Sequence, residues 1–263
     1  MKIDYISDLH MGFVIGNKRN SQEKVRRKVS DYVLSTLPDE LGDVLVLAGD
    51  VDEYNTNVLY TLEEYAKVYP KVFYVFGNHD LYLMSQNQRK KYKNKSRNRQ
   101  EELKEMVNGS VYSHKIAVLD NTVEEYLGVT FAGTMLWYTL PLEFDKVWWK
   151  ENSNDSRKIY PTFIDYSEER HQEDLEFYQS LESVNVDVLI THVPPIHMND
   201  KHSPSASYHN VAISQLGLYA KHWVCGHQHV RTVKKVNDTL IYNNSAGYVG
   251  EFKELPKVNS FEV

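Results

Sequence analysis

Five short segments carry side chains able to hold metal ions, and each follows an apolar run. They are Ser7-Asp8-Leu9-His10, Ala48-Gly49-Asp50, Phe76-Gly77-Asn78-His79-Asp80, Thr191-His192 and Gly226-His227-Gln228-His229. Neutral imidazole with carboxylate and amide oxygen suits zinc, manganese or iron. The only cysteine is Cys225, which rules out an intramolecular disulfide and argues against a thiolate zinc site. In an extended segment residues i and i+2 point to one side. Asp8 and His10 are thereby able to share an ion around Leu9, and His227 and His229 to do the same around Gln228. Gly49, Gly77 and Gly226 stand where the backbone must turn, or approach an ion, without a Cβ in the way. Any one of these motifs arises by chance. All of them in this order, each at the end of an apolar run, point to one shared site.

The apolar runs are short and rich in β-branched and aromatic residues, so they predict buried strands. They cover 3–7, 43–48, 71–76, 129–132, 187–190, 223–225, 232–236 and 239–242, the last two joined as a hairpin by Asn237-Asp238. Between them lie helical patterns. Val25, Val29, Val33 and Leu37 form one stripe over 22–37, stopped by Pro38. A second helix is expected over 57–69, ended by Pro70, a third over 167–181 with Ser167 as its N-cap, and a fourth over 210–220. Strands alternating with helices imply an α/β fold, in which ligand sites collect at the carboxyl ends of strands.

Composition sets the class. The chain has 263 residues, 41% hydrophobic and 25% charged, with a formal net charge of −6. This is ordinary for a globular protein and excludes a disordered, collagen-like or coiled-coil chain. No run approaches the ~20 apolar residues of a membrane span, so no membrane partner is expected. The start, Met1-Lys2-Ile3-Asp4-Tyr5, reads as cytoplasmic. Two stretches fit the alternation poorly. Residues 81–100 hold seven basic side chains (Arg89, Lys90, Lys91, Lys93, Lys95, Arg97 and Arg99) and no acid, and 135–161 is rich in aromatics. Both read as insertions, at about 81–108 and 135–166, on one domain spanning 1–263. His114, His171, His202 and His222 fit no ligand position, and His197 and His209 read as surface residues of the loop after His192.

The ordered motifs resemble those of the calcineurin-like metallophosphoesterase superfamily: D-x-H, then G-D, then G-N-H-D/E, then a histidine after a strand, then G-H-x-H. The match runs from residue 4 to residue 229. Residues 132–137 and 191–195 also look like those of the compact bacterial and phage members. The resemblance implies a four-layer α-β-β-α sandwich: two mixed β-sheets flanked by helices, with a dinuclear metal site at strand carboxyl ends. Carried over residue by residue, it implies one ion on Asp8, His10 and His229, and another on Asn78, His192 and His227. Asp50 would bridge the two, and His79 would stand beside them as a catalytic residue oriented by Asp80. The ions would be manganese or an iron–manganese pair, with zinc the alternative. The implied reaction is hydrolysis of phosphodiester or phosphomonoester bonds by a hydroxide between the ions. The substrate would be a small-molecule or nucleotide phosphate ester.

The chain departs from the protein Ser/Thr phosphatase branch, which carries an arginine shortly after its G-D motif. Here the sequence runs Gly49-Asp50-Val51-Asp52-Glu53-Tyr54, and the later turn Asn243-Asn244-Ser245-Ala246-Gly247 lacks an arginine too. Diesters, with one negative charge, are therefore expected to be handled at least as well as monoesters. The seven like charges of the basic stretch repel and weaken a helix, so it reads as a mobile surface loop. A nuclease acting on oligonucleotide ends is the alternative, with that stretch as an electrostatic lip. A non-catalytic scaffold of the same fold is a further one, disfavoured because every ligand position is filled.

Overall fold

The first half of the chain alternates strand and helix as the sequence pattern requires. It contains β1 (Lys2–Ile6), α1 (Met11–Ile15), α2 (Gln22–Thr36), β2 (Val44–Leu47), α3 (Asn55–Val68), β3 (Lys71–Tyr74), α4 (Gln86–Lys91), α5 (Ser96–Asn108) and β4 (Ile116–Val118). Then follow β5 (Thr122–Tyr126), β6 (Val129–Thr134), α6 (Glu143–Asn152), α7 (Asp155–Lys158), α8 (Phe163–Ser180), β7 (Val186–Thr191), β8 (Ala220–Cys225), β9 (Arg231–Val236), β10 (Thr239–Asn244) and β11 (Asn259–Glu262). This computed structural model describes residues 1–16, 20–161, 163–199, 206–213 and 216–263, the side chains of 163–165 excepted.

The strands form two mixed sheets, in the orders β11-β1-β2-β3-β4 and β5-β6-β7-β8-β10-β9. β1 to β4 are parallel neighbours, with β11 antiparallel on the edge. In the second sheet β6, β7, β8 and β10 run parallel, and β5 and β9 close the two edges antiparallel. Side-chain alternation sets the layers. Val44 and Val46 of β2 point to the layer between the sheets, with Ile3, Phe73, Phe131, Val188 and Val224. Leu45 and Leu47 point the other way, into the layer holding Val29, Val33, Val58 and Leu62 of α2 and α3. Tyr178 of α8 covers Leu189 and Trp223 on the far face of the second sheet. A strand buried on both faces has to be apolar throughout, which is why these runs show no polar alternation. The result is the expected sandwich of two sheets between helical layers.

Three expectations are corrected. The α-helix expected over 210–220 is not seen among its described residues: 211–212 is a turn, 213 is in 3₁₀ conformation, 214 and 215 lie outside the described residues, and Ala220 already belongs to β8, paired with Val186. Gly217 between them has φ +93°, which interrupts a helix. Second, α8 begins before Ser167, so Ser167 is not a cap. Its hydroxyl accepts from Trp137 Nε1 at 2.9 Å. Third, the basic stretch is largely helical, in α4 and α5. Its charges are spread rather than stacked: Arg97 meets Glu173 at 2.7 Å, Lys91 meets Glu102 at 2.6 Å, and Arg99 is buried. β4, β5 and β11 were not legible, being short or polar edge strands.

Candidate metal centre

Parallel strands bring their carboxyl ends to one rim, and the five motifs meet there. Asp8 and His10 follow β1, Asp50 follows β2, Asn78 and His79 follow β3, His192 follows β7, and His227 and His229 follow β8. The way they turn inward differs from the extended spacing expected. Asp8, His10, Asp50 and His227 have φ of 53°, 44°, 57° and 66°, the left-handed region that non-glycine residues seldom enter. Each costs on the order of 1–3 kcal/mol, which the surrounding packing must offset. A strand that ends in this conformation folds its last side chain back over the rim.

Two glycines make the close approach sterically feasible. A Cβ on Gly77 would lie 2.1 Å from Asp50 Oδ1, and one on Gly49 would lie 2.5 Å from His192 Nδ1. Backbone amides then hold the carboxylates. His79 N–H donates to Asp50 Oδ1 at 2.7 Å, and His227 N–H to Asp8 Oδ1 at 3.0 Å.

The donor atoms fall into a coherent set. Asp8, His10 and His229 bring one ligand atom each to within 4.8 Å of one another, and so do Asp8, Asp50 and His192. His10 Nε2 faces His229 Nε2 at 3.1 Å. On the other side, His192 Nε2 and His227 Nδ1 lie 2.9 and 3.1 Å from Asn78 Oδ1. His227 and His229 thus face different partners rather than one shared ion around Gln228.

The electrostatics suit a cation. Burial, followed by neighbouring imidazoles, pushes His10 well below its ordinary range; burial also lowers His192, and it lowers His227 to about 4. Neutral imidazole offers a lone pair. Asp50 is driven well above the usual carboxylate range, first by burial and then by Asp8 and Asp80. Clustered carboxylates and imidazoles without a counter-charge are what a divalent ion relieves, so the residues present fit a metal pair.

His79 stands beside this set. It also falls within 4.8 Å of His10 and Asp50, with its Nε2 4.0 Å from Asp50 Oδ2. The expected orienting partner is corrected. Asp80 Oδ2 accepts the backbone N–H groups of Asp50 and Gly77, at 2.9 and 2.8 Å, and so braces the loop. The group on His79 Nδ1 is Glu53, at 3.0 Å. Its signal in the sequence was its place three residues after Asp50, in the same strand-end loop. His229 has a parallel partner, Glu251, at 2.7 Å from Nδ1. Carboxylates on the outer nitrogen fix the ring and raise its basicity.

A cavity of about 660 Å³ opens over the donors. Its walls include Trp148, Asn152, Ser153, Asn154, Asp155, His197, Asn199, Tyr208, Tyr248 and Glu251. Among the described lining residues none is lysine or arginine, and none comes from 86–108. His197, expected at the surface, belongs to this wall, and its ring lies 5.6 Å from that of His209. Tyr248 stacks on His10 at 4.5 Å, with its hydroxyl 3.4 Å from His79 Nε2. His171 and His222 do packing work as expected: His171 Nδ1 meets Trp137 O at 2.8 Å, and His222 stacks on Phe261. His114 is exposed, and His202 lies outside the described residues.

Comparison with known proteins agrees with this geometry. The sequence profile of calcineurin-like phosphoesterases matches residues 1–231. No functionally curated protein matches the chain. Among solved structures it is similar to the phosphopantetheinyl hydrolase PptH of Mycobacterium tuberculosis, at 20% identity over 94% of this chain and 89% of that one, with a TM-score of 0.70. It is also similar to a novel archaeal phosphodiesterase, at 16% identity over 100% of this chain and 94% of that one, with a TM-score of 0.42. A dimetal phosphatase from Danio rerio shares 12% identity over 95% of this chain and 88% of that one, with a TM-score of 0.47. With the profile covering most of its length and the ordered motifs converging on one rim, the chain belongs to the calcineurin-like phosphoesterase family.

Proposed function

We propose that this chain is a metal-dependent phosphoric ester hydrolase that handles diesters at least as well as monoesters. Asp8, His10 and His229 would hold one ion, Asn78, His192 and His227 the other, and Asp50 would serve both. Manganese, or iron with manganese, suits the mixed nitrogen and oxygen set, with zinc the alternative. Two ions in such a site lower the pKa of water toward neutrality and neutralise phosphoryl oxygens. The protein supplies the rest. Glu53 holds His79 Nδ1, so Nε2 faces the cavity, where it protonates the leaving oxygen or stabilises its developing charge.

The observation that carries the diester reading is a wall without cationic lysine or arginine side chains among its described residues. Carboxamides, hydroxyls and rings line the cavity, with the carboxylates of Asp155 and Glu251, and no lysine or arginine among the described lining residues. Among the described residues a monoester dianion would meet no lysine or arginine, so its counter-charge would have to come from the ions. A diester carries one negative charge, which two ions neutralise unaided. The oligonucleotide-end alternative draws no support from this wall, because the basic stretch contributes nothing to it. The test is a matched pair of bis-aryl and aryl phosphates, assayed with manganese and after chelation, with a phosphopantetheinyl ester added to the panel. Activity is expected to vanish on chelation, return with manganese, and be at least as high on the diester. A strong monoester preference would refute the reading.

A further inference from the structure

Asn78 presents a chemical ambiguity. A carboxamide has an oxygen and an NH₂ of similar size, and its last torsion is soft and roughly two-fold. Only the oxygen is useful to a cation. Something has to decide which end faces His192 and His227.

The deciding contacts come from 77 residues further along the chain. Asn78 Nδ2 donates to Asp155 Oδ1 at 2.9 Å, and to the Tyr82 hydroxyl at 3.2 Å. Both of its hydrogens are thereby used. Asp155 is itself fixed: Tyr82 donates to its Oδ1 and Tyr138 to its Oδ2, each at 2.5 Å. Trp149 Nε1 donates in turn to the Tyr138 hydroxyl at 3.0 Å. The carboxylate is buried, with 4% of its residue exposed. An ionised carboxylate only accepts, so the reversed amide would set its oxygen against Asp155 Oδ1 and against a Tyr82 hydroxyl whose hydrogen is already given to Asp155. It would also leave a buried carboxylate short of a donor, which is costly.

We propose that Asp155 is a positioning residue, which locks the Asn78 carboxamide with Oδ1 toward His192 and His227. The inference rests on the dinuclear reading above. It gives the 135–166 segment a role in the metal centre itself, since Tyr138, Trp149 and Asp155 all belong to that segment.

The test titrates the full-length, metal-stripped protein with Mn²⁺, using calorimetry for stoichiometry and electron paramagnetic resonance for the spin-coupled pair. Asp155→Ala is expected to weaken one of two Mn²⁺ ions by about 10–100-fold, the usual effect of losing a group behind a metal ligand. The other ion should hold, and the coupled signal should fade. Asp155→Asn keeps an acceptor for Asn78 and should retain most of the affinity, which a role resting on charge would not allow. A swap covers the case in which Asp155→Ala does not fold. Asn78→Asp alone sets two carboxylates face to face and should lose the coupled pair, and adding Asp155→Asn should restore it. If the parent binds two ions and Asp155→Ala binds them equally well, the positioning role is overturned. A swap no better than Asn78→Asp alone overturns it too. A parent that binds no pair removes the dinuclear reading, and this inference with it.

Discussion

The floor and the wall of the cavity are built on different principles. The floor consists of short loops leaving β1, β2, β3, β7 and β8, held by backbone amides and forced into left-handed turns at Asp8, His10, Asp50 and His227. There a single Cβ is enough to block the arrangement, as at Gly77. The wall comes from α6, α7 and the loops around His197 and Tyr208, where rings and amides make broader contacts. The two parts meet directly at several points: Asp155 on Asn78, Tyr248 on His10, Glu251 on His229 and the Ser207 carbonyl on His227. On the proposed function, the floor would set the reaction and the wall would set which organic group accompanies the phosphorus.

The largest expected effect lies at the centre of the floor. Asp50→Asn removes the one carboxylate assigned to both ions. Several kcal/mol of transition-state stabilisation should go with it, a fall in kcat/KM on the order of 10⁴-fold with loss of both metals. Metal analysis and steady-state kinetics on the bis-aryl phosphate check this. Full activity of the variant in chelated buffer would sink the two-ion floor.

His79→Ala separates holding metal from using it. Both ions should remain while turnover drops by about 10²–10⁴-fold, the scale of an acid–base contribution. Glu53→Gln should lower turnover less, because the amide still reaches Nδ1 of His79 but no longer carries the charge. Loss of one ion from His79→Ala would make that histidine a ligand, a result its distance to His10 and Asp50 would accommodate.

The division between floor and wall also governs how much the sequence discloses. Glycines and metal-binding side chains at strand ends are dictated locally, so Asp8, Asp50, Asn78 and His192 stand out by type and spacing. The buried parallel strands are equally plain, since both of their faces must be apolar. Tyr138, Trp149 and Asp155 were not legible, because what places Asp155 at the site is its contact with Asn78 and Tyr82, 77 and 73 residues away, which no local pattern announces. Asp80 was misread for a related reason. The family resemblance implied an orienting role beside His79, yet a left-handed turn at Asp50 offered its N–H to that carboxylate first. The helix expected over 210–220 failed because strand pairing with β7 took Ala220.

Arg99 tests how firmly the floor is held from below. Its guanidinium is fully buried and donates to the carbonyls of Asp52, His79 and Tyr82, at 2.7, 2.9 and 3.1 Å. It also reaches Asn55 Oδ1 at 3.0 Å. Arg99→Met keeps the bulk and strands those acceptors, so a loss of about 3–5 kcal/mol is expected in a urea or thermal melt. Stability unchanged from the parent would show that those carbonyls find other donors and that the loops hold without it.

The smallest effect is expected from the other cations of the same stretch. Lys90, Lys91, Lys93 and Lys95 are exposed on and after α4, while Arg99, four residues on, is inside. Lys91 meets Glu102, an exposed pair of the kind worth at most about 1 kcal/mol. None of the four lines the cavity, whose acidic side chains among the described lining residues are Asp50, Asp155 and Glu251. At physiological salt the field of the four lysines fades beyond about 8 Å, so a substrate in that cavity should gain little from it. Replacing all four with glutamine should therefore change kcat/KM by less than about two-fold at that ionic strength, on a small diester and on an oligonucleotide alike. Melting should shift by less than about 0.5 kcal/mol, as for ordinary surface changes. The informative result would be a selective loss on the oligonucleotide that grows as salt is lowered. That pattern would show a polyanion reaching past the wall to the outer face of α4, and the cavity would then be only the part of the binding surface nearest the ions.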